Sequence, residues 1–243
     1  MAGWSVNLEG GVWWYAHVVE LPGCFSRGAS RGEALGGLPG AVEGRLGWLG
    51  GRGLVCPVCS GFTVVEERGG IPGLGESGGA VALFASDLAP VDEASFRQAV
   101  GLMSLSREEL LGVVGGLTEE MLDAEPIPGK RTVRRDMSHV VNAEEWYVSR
   151  LGRRYQGVYE GNLRVVRGRR RLSAVERLRV TRSPMIAALG VALGEGRQGP
   201  FARRAYTRHP EELWTLRKVL RRFLEHEREH VWTIERTLGV LHD

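Results

Sequence analysis

Two histidines near the C-terminus, His226 and His230, have the residue type and the spacing of metal ligands. No Gly or Pro interrupts residues 215–238, and the composition of this segment favours a helix. Residues four apart lie on one helix face, one turn from each other, so both imidazoles can reach the same metal ion. We therefore predict a metal site on this helix, with His139 supplying a third ligand from another helix.

The surroundings of His139 favour a reactive metal site over a structural one. The same predicted helix face carries Asn142, Ala143 and Trp146, a mixed polar and apolar surface that suits a pocket wall. Three neutral imidazoles leave coordination positions open for water or substrate. We predict that Asn142 and Trp146 line one side of this pocket and that Phe223 lines the other. The alternative is that each histidine is an ordinary surface or core residue.

The C-terminal histidine segment also matches two protease signatures. Residues 226–230 satisfy H-E-x-x-H, with Glu227 as the general base, and the inverted H-x-x-E-H, with Glu229 in that role. Both forms need a third ligand well downstream, and few residues follow His230. Because this helix is rich in Arg and Glu, we regard the match as chance and the protease as the weaker alternative.

The three cysteines predict no disulfide framework, and their odd number favours a reducing cytoplasm. Cys56 and Cys59 form a C-x-x-C pair, but a zinc ribbon needs a second pair, which Cys24 alone does not supply. A redox C-x-x-C should follow a strand at a helix N-terminus, whereas this pair precedes a predicted strand. We interpret the pair as a loop with two thiols.

Length and composition are those of a globular protein with room for two domains. Of 243 residues, 43% are hydrophobic and 25% are charged, and the net charge is +3. The arginines are interleaved with glutamates, so nucleic-acid binding is disfavoured, although the basic cluster at residues 164–171 keeps it open as an alternative. Without a long apolar run or a secretion signal, the chain is predicted to be cytoplasmic and to lack a membrane span.

The N-terminal part predicts a small α+β module. Ser30 and Glu33 form a capping-box pattern that begins a helix, and Pro39 is expected to weaken or kink that helix. Gly10 and Gly11 favour a hairpin between the first two strands. The predicted order is strand, strand, strand, helix and strand, at residues 4–8, 12–19, 25–27, 30–49 and 62–67.

The C-terminal part predicts a helical bundle. Beyond a glycine-rich stretch at residues 68–80, the hydrophobic period changes from two residues to 3.6, so we place the two domains at 1–88 and 89–243. Thr132 and Thr215 are the predicted N-caps of the two helices that carry the histidines. The four helices are predicted at residues 92–117, 132–151, 173–193 and 215–238, with a loop at 152–170.

In the N-terminal module, Tyr15–Gly28 contains an E-L-P-G-C turn and is followed by Ser30–Leu35. On these residues the module, about residues 4–67, resembles HicB-like antitoxins. It implies a β-β-β-α-β fold. Antitoxins of this family usually add a DNA-binding helix-turn-helix or ribbon-helix-helix segment, and no such segment is recognisable in this chain.

The C-terminal part, about residues 91–240, resembles the DinB-like four-helix bundles, which are related to thiol-dependent isomerases and transferases. This resemblance implies a divalent metal held by one histidine of the second helix and two, four apart, of the fourth. It therefore carries His139, His226 and His230 over as ligands. The matching positions are Ser106, Arg107, Leu110 and Leu111, then His139 with Ala143–Tyr147, then Arg221, Arg222 and His226–His230.

Together these observations predict an α+β two-domain protein, a β-β-β-α-β HicB-like module followed by an all-α DinB-like bundle. The expected function is that of a Zn²⁺- or Ni²⁺-dependent thiol transferase or hydrolase acting on a small molecule. The alternative is a non-enzymatic regulator that binds a protein partner and uses the metal only to join helices. A homodimer is expected because bundles with broad apolar helices often dimerise.

Overall fold

The computed structural model describes residues 3–55, 59–125 and 129–242, with the backbone alone for 240–242. The chain forms two compact units, of which the first combines Met1–Ala89 with Ala202–Leu213 and the second combines Pro90–Phe201 with Trp214–Asp243. A strand-containing N-terminal part and a helical C-terminal part are confirmed. The sequence did not indicate that residues 202–213 belong with the first unit.

The first unit contains a four-stranded sheet in the order β3-β2-β1-β4. β1 pairs antiparallel with β2 and parallel with β4, and β2 pairs antiparallel with β3. Val12 and Trp13, predicted as strand, lie in the turn that follows Gly10. The strands are β1 (Trp4–Gly10), β2 (Trp14–Val18), β3 (Phe25–Gly28) and β4 (Phe62–Arg68).

Two helices, α1 (Arg31–Gly36) and α2 (Leu38–Gly50), replace the single kinked helix that the sequence predicted. The break has a local cause, because Pro39 is tolerated in the first turn of a helix but not in its interior. The predicted cap is confirmed, since the Ser30 hydroxyl accepts a hydrogen bond from the Glu33 backbone N–H. The Glu33 carboxylate accepts from the N–H of Ala29 rather than from that of Ser30.

Polar contacts inside the first unit join segments that are far apart in sequence. Glu9, fully buried on β1, lies 2.9 Å from the ring nitrogen Nε2 of His17 and accepts a hydrogen bond from the Ala82 N–H at 2.6 Å. The Val81 N–H donates to the Glu212 carboxylate at 3.1 Å. The contact of Glu212 links residues 202–213 to the segment that follows β4.

The second unit is a four-helix bundle with two additional helices. α3 and α5 each pack against α7 and α8, and α6 packs against α5 and α7. The Thr132 and Thr215 hydroxyls cap α5 and α8, as predicted, by accepting from the N–H groups of Arg135 and Lys218. The helices are α3 (Glu93–Val114), α4 (Glu119–Asp123), α5 (Val133–Leu151), α6 (Arg153–Arg167), α7 (Ala174–Gly194) and α8 (Leu216–His242).

The predicted loop at 152–170 is wrong, because α6 occupies most of it. Tyr155 and Tyr159, four residues apart, are buried on one face of this helix and give it a packing surface. Gly152, at φ 132°, separates α6 from α5 in a backbone conformation that side chains disfavour. The basic cluster therefore lies on the last turn of a helix and the segment after it, and its arginines are exposed.

Two short strands, β5 (Phe201–Ala202) and β6 (Leu213–Trp214), pair with each other between α7 and α8. Ala202 of β5 and Leu213 of β6 are the ends of the segment 202–213, which belongs to the first unit. Among the helices that the structure describes, none is both long enough and apolar enough to cross a bilayer.

Candidate metal centre

The three predicted histidines lie together inside the bundle. His139 comes from α5, and His226 and His230 come from successive turns of α8. One ligand atom from each ring lies within 4.8 Å of the other two. His226 and His230 are buried, while His139 is half-buried. We call His139, His226 and His230 the three-histidine cluster.

The geometry of the cluster fits a metal ion. The Nε2 atoms of His139 and His226 are 3.2 Å apart. Nitrogens bound tetrahedrally at 2.0–2.1 Å lie about 3.3 Å from each other, so this separation matches a shared ion. The Nδ1 atoms of His226 and His230 are buried without a hydrogen bond. A donor set of imidazoles suits Zn²⁺, Ni²⁺ and related ions.

Burial favours the neutral imidazoles that metal binding requires. Burial, followed by repulsion from His230 and Arg131, lowers the pKa of His139 to about 4. Burial and the neighbouring His230 and Arg222 lower the pKa of His226 well below its ordinary value. Both rings are therefore uncharged at neutral pH, and each has a lone pair available.

Asp136, on the first turn of α5, is a neighbour of the cluster that the sequence interpretation missed. Its Oδ1 atom lies 3.4 Å from Nδ1 of His230, and the residue is almost fully buried. A carboxylate beside the second ring nitrogen fixes the orientation of a ligating histidine in many metal sites. Asp136 precedes His139 by three residues, a helical spacing that places both on one face and could have identified it.

The predicted lining residues lie in different environments. Asn142 is exposed, and its side-chain oxygen accepts a hydrogen bond from Arg177 at 3.0 Å. Trp146 is half-buried and meets the ring of Tyr147 edge-on at 5.6 Å. Phe223 is fully buried, 5.8 Å from the ring of Tyr147. Tyr147, which was not predicted, lies edge-on to His226 at the same 5.8 Å and links these aromatic groups to the cluster.

Four charged residues, one from each bundle helix, form a buried charge cluster next to the histidines on α5 and α8. Arg107 (α3) and Arg182 (α7) both donate to one oxygen of Glu144 (α5) and one oxygen of Glu227 (α8), at 2.5–2.8 Å. None of the four residues is more than 6% exposed. The cluster is formally neutral, which limits the cost of burying it.

The environments of the two glutamates differ in their effect on protonation. Burial raises the pKa of Glu144, whereas for Glu227 the attraction of Arg107 and Arg182 outweighs burial and lowers the pKa. The carboxylate of Glu227 is thus held in the core by two arginines. This arrangement argues against Glu227 as the general base of an H-E-x-x-H protease.

The cysteines do not form a second centre among the described residues. Cys24 is buried and Cys59 is half-buried. Cys56, the other member of the C-x-x-C pair, lies outside the described residues.

The fold and the cluster define a four-helix-bundle protein with three histidines at metal-ligand spacing. The chain belongs to the DinB superfamily, whose family model matches residues 102–234, more than half of the 243 residues. Among solved structures it is similar to YfiT from Bacillus subtilis, described as a probable metal-dependent hydrolase with an unusual four-helix bundle topology. That match has 16% identity and a TM-score of 0.43, and it covers 66% of this chain and 95% of YfiT. No curated protein matches the chain.

Proposed function

We propose that this protein is a divalent-metal-dependent enzyme of the hydrolase or thiol-transferase type that acts on a small molecule. His139, His226 and His230 hold the ion, with Zn²⁺ and Ni²⁺ as the expected metals. The convergence of three imidazoles from two helices within 4.8 Å carries the proposal. When bound there, the ion supplies Lewis acidity that turns a water or a thiol into a nucleophile.

The number of ligands supports a catalytic role rather than a purely structural one. Structural zinc sites are closed by four protein ligands, whereas catalytic sites use three and leave a position open. Among the described residues, no fourth histidine, cysteine or carboxylate joins the cluster. We propose that Trp146 and Phe223, with Tyr147 between them, form the apolar wall of the substrate site, and that Asn142 lies at its rim.

The test of this proposal combines metal content, coordination and activity. Protein loaded with Zn²⁺, Ni²⁺ or Co²⁺ should bind one ion per chain by elemental analysis. X-ray absorption should show three imidazole ligands and at least one exchangeable oxygen. The loaded protein should turn over model esters or amides, or transfer a low-molecular-weight thiol, and chelation should abolish turnover. Absence of stoichiometric metal, or a coordination shell closed by protein atoms, would contradict the proposal.

Removal of the metal should leave the fold intact. The buried charge cluster and the apolar core join the four helices without the ion, so the apo-protein should keep its far-UV circular dichroism spectrum. Its unfolding midpoint should fall only by the contribution of ligand binding. The measurement is thermal unfolding before and after dialysis against EDTA, followed by metal restoration. Loss of helicity on chelation would support a structural metal.

Asp136→Ala should weaken metal binding without preventing folding. Without this carboxylate 3.4 Å from Nδ1, the ring of His230 loses the group that would accept its N–H when the other ring nitrogen binds the metal, and such losses typically reduce affinity by about 10–100-fold. Competition with a chromophoric chelator measures the affinity for Zn²⁺. Glu145→Gln, a carboxylate change on the same helix, is the matched control and should have little effect. Equal affinity in the Asp136 variant and the wild type would exclude this role.

A regulatory protein is the second candidate, because the family match begins at residue 102 and leaves the strands and helices of residues 1–89 uncovered. In this proposal the first unit acts as a HicB-like module that recognises a protein partner, and the metal joins two helices. The basic cluster of residues 164–171 supports a third, nucleic-acid-binding alternative, whose affinity would fall steeply with salt. The homodimer and the cytoplasmic location stay predictions.

A further inference from the structure

Arg131 is an exposed cation at the edge of the three-histidine cluster. It directly precedes Thr132, the N-cap of α5, and 41% of its side chain is exposed. Its described ionic contact is with Asp136, at 3.7 Å between Nη1 and Oδ1, which is too long for a hydrogen bond. The guanidinium is therefore close to a carboxylate but keeps N–H groups available to solvent.

Asp136 connects this guanidinium to the cluster. The Oδ1 atom that lies 3.7 Å from Arg131 also lies 3.4 Å from the ring of His230. The guanidinium of Arg131 and the imidazole of His230 thus approach the same carboxylate oxygen.

The charge balance of the site favours an anion. Three neutral imidazoles do not offset the charge of a divalent ion, and Arg131 and Asp136 offset only each other. Asp136 is almost fully buried, whereas Arg131 is exposed, so a molecule entering from solvent meets the positive group. The planar guanidinium matches the oxygens of a carboxylate or a phosphate and forms charge-assisted hydrogen bonds with them.

We propose that Arg131 is a substrate-binding residue that recognises an oxyanion, a carboxylate or phosphate group, on the molecule that reacts at the three-histidine cluster. This inference rests on the proposed function and narrows its substrate class to anionic small molecules. A purely structural role for Arg131, in which it only holds Asp136 in place, predicts a different result: its loss would weaken metal binding instead of anion binding.

The experiment titrates Co²⁺-loaded protein with inorganic phosphate and, separately, with acetate, while visible absorption follows the ion and calorimetry gives the affinity. Arg131→Met should weaken binding of at least one anion about tenfold, the value of one charge-assisted hydrogen bond. Its affinity for Co²⁺ should be unchanged, and Arg131→Lys should be intermediate. Arg135→Met, which removes an exposed arginine one turn further along α5, is the matched control and should bind both anions as the wild type does.

Each contrary outcome has a distinct meaning. Equal anion affinity in Arg131→Met and the wild type would overturn the assignment, as would equal weakening in Arg135→Met, which would indicate a general charge effect. Weaker Co²⁺ binding in Arg131→Met would show the structural role. Failure of the wild type to bind Co²⁺ would remove the proposed function itself, whereas normal Co²⁺ binding with no role for Arg131 would remove only this inference.

Discussion

His226→Ala is expected to lose most of its bound metal and to keep its helical structure. The imidazole is buried at the centre of the three-histidine cluster, 3.2 Å from that of His139, so its removal takes away a direct ligand. Loss of an outer-shell partner alone costs about 10–100-fold in affinity, and loss of a ligand should cost more than about 100-fold. Alanine has the highest helix propensity, so α8 should remain helical. Elemental analysis after gel filtration gives the occupancy, and circular dichroism gives the helicity.

His209→Ala provides the matched control, because His209 lies outside the cluster and the same imidazole is removed. The control variant should bind metal as the wild type does. Full metal occupancy in the His226 variant would mean that other residues hold the ion. Loss of helicity would mean that the main role of His226 is to pack in the core, which is the alternative stated in the sequence analysis.

Arg107→Met is expected to destabilise the bundle by about 3–5 kcal/mol, the cost of leaving buried charges without one of their partners. Two carboxylates, of Glu144 and Glu227, would then share Arg182 alone in a region where all are almost fully buried. Urea unfolding followed at 222 nm reports mainly on the helices and measures the change in the free energy of unfolding.

A surface arginine tests whether burial of the charges causes the loss of stability expected for Arg107→Met. Arg134 also pairs with two carboxylates, those of Glu119 and Asp123, but these are largely exposed, so Arg134→Met should cost less than about 1 kcal/mol. The double variant Arg107→Met/Glu144→Leu restores the balance of charge and should be less destabilised than the sum of the single changes. Equal small losses at Arg107 and Arg134 would show that the buried charge cluster contributes little to stability.

Periodicity and caps allowed most of the bundle to be predicted. The stripe of apolar residues identified the four long helices, and the threonine caps of α5 and α8 were located correctly because capping depends on local chemistry. α6 was missed because its glycines and arginines are typical of a loop, while its packing face depends on two tyrosines. The helix is stabilised by packing against α5 and α7, which is a tertiary effect.

The candidate site was predictable only in part. The spacing of His226 and His230 is a local signal, the mixed helix face around His139 suggested the third ligand, and the resemblance implied all three. The partners of these residues are not local: Arg107 and Arg182 meet Glu144 and Glu227 only when four helices pack. The sequence alone does not show that these four charges are buried and paired with one another. Arg131 was likewise one arginine among many until the structure placed it beside Asp136.

Residues 202–213 belong to the first unit although they lie between α7 and α8 in the sequence, and this has a consequence for biosynthesis. As the chain leaves the ribosome, the N-terminal strands precede the helices, but the contact between Val81 and Glu212 cannot form until α3, α5 and α7 have been translated. The first unit therefore reaches its complete set of interactions late, after most of its neighbour in sequence has emerged. A fragment truncated after residue 89 would lack that segment permanently, and limited proteolysis of nascent chains stalled before and after residue 213 would reveal the difference.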